Sequence, residues 1–380
     1  MAAHPGFVAV LALLASLAAP AAASAQDVQR THGPDPASTS APSPVASVAA
    51  AGEWCGNDAA TAAANQVDNG EYRYHAVYAH AADAASRLST LGAQLQEDAF
   101  GASGLIEQEY GRAIRFDVGT PCGQNMLDIS EVRLPYTHDQ LAALAAGGGT
   151  ATFDAVAGAL QTAGFMVAPN DAPLEQLAPL RENYVVWLDG AAPARSCGQG
   201  TALLDSTRSE TNLNNLGGKL AVIFRDGRGF CGEDVVRHEI GHNLGALQPD
   251  APNTADGVHC NDAFEDTMCA WEAAHVAEGP FNGLFFDYGN DDYWDPPAGA
   301  PLGWWTLNLS RFICPAVDCN RPVAGQTARA HAAKERRERR AHRRARAAKR
   351  HARAARRRAE RRCRRQGDRC RRAAQFGTRQ

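Results

Sequence analysis

The run His238-Glu239-Ile240-Gly241-His242-Asn243-Leu244-Gly245 constrains this chain more than any other stretch of it. It predicts a helix that carries two histidines one turn apart and stops at a glycine. Positions i and i+4 share a helix face, so His238 and His242 can present imidazole nitrogens to one metal ion. Glu239 is rotated by roughly 100° from His238. Its carboxylate therefore stands beside such an ion rather than on it, where a general base acting on water belongs. Gly245 has no Cβ, so it can enter the left-handed conformation, end the helix and turn the chain back toward the metal.

The N-terminus reads as an export signal. Residues 7–19, FVAVLALLASLAA, form a short apolar run followed by Ala23-Ser24-Ala25, a small-x-small cleavage pattern, so residues 1–25 are expected to be a signal peptide and the protein to be secreted. The run is shorter than the roughly 20 residues that span a bilayer, and no other segment is apolar enough to be a transmembrane span. The ten cysteines, an even number, agree with an oxidising compartment and with disulfide bonds. The simplest pairing joins sequence neighbours: Cys55 with Cys122, Cys197 with Cys231, Cys260 with Cys269, Cys314 with Cys319, and Cys363 with Cys370. The Cys260–Cys269 and Cys314–Cys319 pairs close short loops. Thiolate ligation of a structural zinc by Cys260 and Cys269 is the alternative, and export disfavours it.

Charge divides the chain. Residues 327–380 hold 23 Lys and Arg against four acids, a net +19, while the remaining 15 basic and 38 acidic residues give −23, within a total of −4. A single-sign block of this kind is a solvated interaction arm. The Arg/Ala-rich tail, residues 323–380, is expected to be disordered or helical and to bind an anionic cell-surface polymer. Residues 26–53 have the Ala/Ser/Pro composition of a linker. Residues 54–322 are long enough for one domain with a substantial core. Strands are expected at Glu71–His80, Ala113–Val118, Tyr184–Leu188 and Leu220–Phe224, and helices at Ala81–Gln96 and Phe153–Ala163. The order is that of a mixed α/β (α+β) domain in which a strand at Leu220, a Gly-rich turn and then the His238 helix follow one another.

His238 to Gly245 followed by Met268 resembles the metzincin metallopeptidases, whose pattern is HExxHxxGxx(H/D) and then a methionine in a tight turn beneath the metal. HEIGHNLGALQ, His259-Cys260-Asn261-Asp262, Asp266-Thr267-Met268-Cys269 and the later Asp287-Tyr288-Gly289-Asn290-Asp291-Asp292-Tyr293 are similar to a group of secreted bacterial metzincins. The resemblance covers roughly Tyr72 to Phe312 and is strongest from Arg237 to Cys269. It implies a twisted sheet with an active-site helix, a C-terminal subdomain below the zinc, a Zn2+ cofactor, and hydrolysis of protein or peptide substrates with Glu239 as general base.

The chain departs from that pattern at Gln248, which stands where the third ligand is expected, and a neutral amide is a poor zinc ligand. His259 is the leading candidate, with thirteen residues between it and Gly245. A Cys260–Cys269 bridge would clamp its loop to the methionine turn. Asp250 and then Gln248 are the alternatives. Tyr288 and Tyr293 carry hydroxyls that can stabilise an oxyanion, but packing in an aromatic-rich loop beside Phe285, Phe286 and Trp294 is the preferred reading of either one alone. Beside the peptidase reading stand a zinc-binding but inactive protein and a polyanion-binding cell-surface protein that acts through its tail.

Overall fold

Apolar runs without polar alternation predict strands buried on both faces, and a computed structural model of the chain places them at the centre of one mixed sheet. The structure describes residues 29–31, 54, 72–120, 123–168, 174–192, 196–225, 231–261, 263, 265–269, 285–316 and 319. The signal segment 1–25, the linker apart from 29–31, the basic tail, Cys55, Cys122, Cys363 and Cys370 lie outside the described residues.

In chain order the elements are β1 (Gln29–Thr31), β2 (Arg73–His80), α1 (Leu88–Tyr110), β3 (Arg112–Ile114), β4 (Val118–Thr120), β5 (Gly123–Leu127), β6 (Ile129–Arg133), α2 (His138–Gly147), α3 (Ala151–Thr162), α4 (Leu174–Leu177), β7 (Glu182–Asp189), β8 (Gly198–Leu203), β9 (Leu220–Arg225), α5 (Glu233–Leu244) and β10 (Ile313–Pro315). The main sheet has the order β1-β8-β9-β7-β2-β6. Strands β6, β2, β7 and β9 are parallel. β8 lies antiparallel on β9, and β1 lies antiparallel on β8.

Successive side chains of a strand point to opposite faces, and each face here has its own core. Tyr74, Ala76, Val185, Trp187, Ala221 and Ile223 face α1 and α5. Val77, Val186, Leu188, Val222 and Phe224 face the side of α2 and α3, where Leu141, Phe153, Val156 and Leu160 are buried. The expected α/β class is therefore observed, with α5 seated on the sheet beside β8 and β9: Asn243 Nδ2 donates to Thr201 O at 3.0 Å and to Leu220 O at 3.1 Å.

Two sequence expectations need correction. The helix expected at Ala81–Gln96 begins at Leu88 and runs to Tyr110, ending at Gly111 with φ 63°. Its inner glycines are sites of close approach: a Cβ on Gly92 would lie 2.1 Å from the Trp54 ring, and one on Gly101 would lie 2.2 Å from Glu233 Oε2. The strand expected at Ala113–Val118 is split into β3 and β4. Between them Asp117 turns inward to pair with Arg73 at 2.8 Å and with His75 at 3.2 Å.

Three of the neighbour pairings are present: Cys197–Cys231, Cys260–Cys269 and Cys314–Cys319, with Cα separations of 5.2, 4.2 and 5.6 Å. Among the described residues no helix is long and apolar enough to cross a membrane.

Candidate metal centre

Helix α5 opens with Glu233 and Asp234, acids that complement the positive end of the helix dipole. From Val235 to Leu244 every residue is buried. The helix stops where the sequence predicts. Gly245 has φ 81°, its N–H meets Gly241 O and His242 O, and a Cβ there would fall 2.3 Å from Asn214 Cγ. Glycine is thus required both by conformation and by space. Two side chains satisfy carbonyls at this end: Trp305 Nε1 donates to Leu244 O and Gln248 Nε2 to Gly245 O, each at 2.9 Å.

His238, His242 and His259 converge. Their ligand nitrogens lie within 4.8 Å of one another and all three residues are buried. The Nε2 atoms of His238 and His242 are 3.1 Å apart. The rings of His238 and His242 are nearly perpendicular, as are those of His242 and His259. Two of the rings are oriented from behind. His238 Nδ1 is 2.7 Å from Thr267 O, and a carbonyl can only accept, so the proton sits on Nδ1 and the lone pair on Nε2. His259 Nδ1 is 2.8 Å from Asp256 Oδ2, and its backbone N–H donates to Asp256 Oδ1 at 2.8 Å. Burial pushes the Asp256 carboxyl up, but the hydrogen bond and charge of His259, with the amides of Val258 and His259, outweigh it and hold the group down at about 2.

Glu239 is completely buried beneath β8. A Cβ on Gly198 would lie 2.2 Å from its Oε1, and one on Gly200 would lie 3.0 Å from Oε2 and 3.2 Å from His242 Cβ. The Gly-x-Gly of β8 therefore brings backbone against the acid, a close approach that only glycine permits. On the other side of α5, Met268 is fully buried against Gly241, where a Cβ would meet its Sδ at 2.4 Å.

The segment bearing Met268 is organised by Asp266. This buried carboxylate accepts Met268 N–H and Tyr288 N–H, each at 2.6 Å, and Tyr293 Oη–H at 2.6 Å. The Cys260–Cys269 disulfide and the bond from Cys260 N–H to Met268 O at 3.1 Å fasten the His259 loop to the same segment. Being bonded to each other, these cysteines are not thiolate ligands.

The other candidates are placed as follows. Gln248 donates its amide Nε2–H groups to Gly245 O and to Leu203 O, while its Oε1 is buried without a hydrogen-bond partner. Asp250 is exposed and is outside the histidine group. Tyr293 is buried with its hydroxyl on Asp266, and Tyr288 packs at the surface against Phe285 with ring centroids 5.5 Å apart. His75, Asp117 and Glu182 form another buried group, but the Arg73 guanidinium stands 2.8 Å from Asp117 and 3.2 Å from Glu182, supplying the positive charge there itself.

Sequence reasoning missed Asp256, Gly198 and Gly200. Asp256 had a signal, an acid three residues before the candidate ligand. The glycines of β8 had none, because their role depends on an element that the fold brings from elsewhere.

No family model matches the sequence, and no curated protein matches it. Among solved structures, "Structure of a chaperone-substrate complex" is similar at 13% identity and a TM-score of 0.22, over 48% of this chain and 25% of that one. This chain thus spans about a quarter of the protein it matches, and a likeness of this size carries no argument.

Proposed function

We propose that this protein is a secreted zinc-dependent endopeptidase of metzincin type. One observation carries the reading: three buried imidazoles converge from two separate segments beside a buried glutamate. The donor set fits zinc. Its nitrogens at Zn–N distances of about 2.0–2.1 Å stand roughly 3.3 Å apart in a tetrahedron, close to the 3.1 Å between Nε2 of His238 and His242. His238, His242 and His259 would hold the ion, with Thr267 O and Asp256 fixing two of the rings.

Zinc supplies Lewis acidity, polarising a peptide carbonyl and bringing the pKa of water near neutrality. Glu239 takes the proton from water at its carboxylate and delivers it to the leaving amine nitrogen, serving both half-reactions. Gly198 and Gly200 hold that carboxylate in place from above, while Met268 supports the helix from below. The substrate surface we assign is the outer edge of β8. Gln29–Thr31 already adds there as an antiparallel strand opposite Thr201–Leu203, the manner in which an extended peptide augments a sheet. A peptide continuing along Gly198–Gly200 would lie beside the strand that covers Glu239. The signal sequence and the three disulfides support export, and the basic tail supports retention on an anionic surface.

The test is zinc content and peptidase activity of wild-type and Glu239→Ala protein, measured together. The variant is expected to retain zinc while turnover falls by roughly three orders of magnitude or more. Zinc without peptidase activity in the wild type would favour an inactive binding protein. Unchanged turnover in the variant would remove Glu239 from the reaction.

A further inference from the structure

The loop that follows the methionine segment carries a second cluster of ligand-type groups. Oxygens of Asp287, Asp291 and Asp292 lie within 4.8 Å of one another, with Asp287 and Asp292 buried and Asp291 exposed. Asp287 divides its carboxylate between two tasks. Oδ2 accepts the N–H groups of Tyr293 at 3.0 Å and Trp294 at 2.5 Å. Oδ1 is buried, has no hydrogen-bond partner and belongs to a residue only 3% exposed. A buried acceptor of this kind is costly unless something electropositive meets it.

Asn253 sets the other two carboxylates. Its N–H donates to Asp292 Oδ1 and its Nδ2 to Asp291 Oδ2, each at 3.3 Å. The cluster thus has two buried walls, an exposed mouth at Asp291 and, on Asp287, a buried oxygen without a hydrogen-bond partner.

We propose that Asp287, Asp291 and Asp292 bind a calcium ion, at a site separate from the three histidines. The chemistry discriminates between the two. An all-oxygen, carboxylate-rich set suits a hard cation, whereas the imidazole set suits a transition metal. Calcium takes about six to eight oxygens in irregular geometry and completes its shell with water, which the exposed side of Asp291 admits, whereas magnesium demands a near-regular octahedron. Burial and the neighbouring charges of Asp292 and Asp291 raise the Asp287 carboxyl well above the usual range, against the pull of the Tyr293 and Trp294 amides. A bound cation would relieve that repulsion.

The ion's structural consequence follows from Tyr293, whose N–H is on Asp287 and whose hydroxyl is on Asp266. Asp266 in turn holds Met268. Calcium at Asp287 would brace the support of α5 without touching the histidines.

Terbium, a luminescent calcium substitute, excited through tryptophan, tests this on the full chain freed of calcium and kept in zinc buffer; Trp294 adjoins the site in sequence. The expected result is a saturable one-to-one signal, displaced by calcium at lower concentration than by magnesium, together with a calcium-dependent rise in Tm. Asp291→Asn, at an exposed position where folding is not at risk, should weaken calcium binding by about tenfold or more. Asp287→Asn, if it folds, should lose the calcium-dependent Tm rise. His242→Ala should keep the terbium signal. No saturable signal, equal displacement by magnesium, unchanged affinity in Asp291→Asn, or loss of the signal in His242→Ala would each overturn the proposal.

Discussion

The backbone of Gly198 lies so close to Glu239 that a methyl group on its α-carbon would stand 2.2 Å from the carboxylate oxygen Oε1 and 2.6 Å from Cγ. Strand β8 thereby determines where the acid can be. Glu239 is fully buried, so its side chain has little room to swing aside. Gly198→Ala is expected to leave metal content and far-UV circular dichroism unchanged while reducing peptidase turnover by about a hundredfold, the cost of misplacing a catalytic group by roughly 1 Å. Wild-type turnover in the purified variant would show that Glu239 has freedom these contacts deny.

The histidine cluster and the amide of Gln248 predict opposite phenotypes. His259→Ala should release zinc at a chelator concentration lower by about a hundredfold or more, because one of the three proposed ligands is gone. Gln248→Ala should leave the chelator midpoint where it is and lower stability by about 1 kcal/mol, since its Nε2–H groups serve Gly245 O and Leu203 O. Asp250→Asn should change neither. Chelator titrations and urea melts on the three variants decide the matter, and a reversed ranking of His259 and Gln248 would move the third ligand.

A pH dependence follows from Asp98. Burial raises its carboxyl to about 6, against the pull of Arg225 at 2.9 Å and of Gln94. The unfolded group titrates near 4. Between those values the folded state holds more protons than the unfolded one, so this group's contribution to stability falls as pH rises from about 4 to about 6 and is level above that. Asp98→Asn should abolish this component, which is of the order of 2 kcal/mol. Unfolding free energies of both proteins from pH 4 to 7 measure it, and a constant difference between them across that range would refute it.

Much of the site was legible because local chemistry encoded it. His238, Glu239, His242 and Gly245 needed only helix geometry, and His259 was reachable through its neighbour Cys260. The central strands at Tyr184 and Leu220 were legible from their unbroken apolar runs. What escaped was structure whose cause lies at a distance. Strand β8, GQGTAL, has neither alternation nor a β-branched run, and its glycines make sense only once Glu239 is placed beneath them. Helix α1 starts later and runs further than Ala81–Gln96, to Tyr110, past Gly101, and its Gly92 and Gly101 admit Trp54 and Glu233, neighbours that only the fold supplies. Helix α2 escaped despite a local signal: Thr137 and Gln140 form a reciprocal capping box at its start.

The Cys260–Cys269 bond joins the residue after His259 to the residue after Met268, and so makes one thermodynamic cycle of two reactions. Whatever factor the bond contributes to an ion's affinity for His259, the ion must return as resistance of the bond to reduction. For a two-electron couple, a tenfold gain in affinity corresponds to about 30 mV. An ion at the proposed centre would therefore make the cross-link harder to reduce, and opening the link would lower the ion's affinity by the same factor.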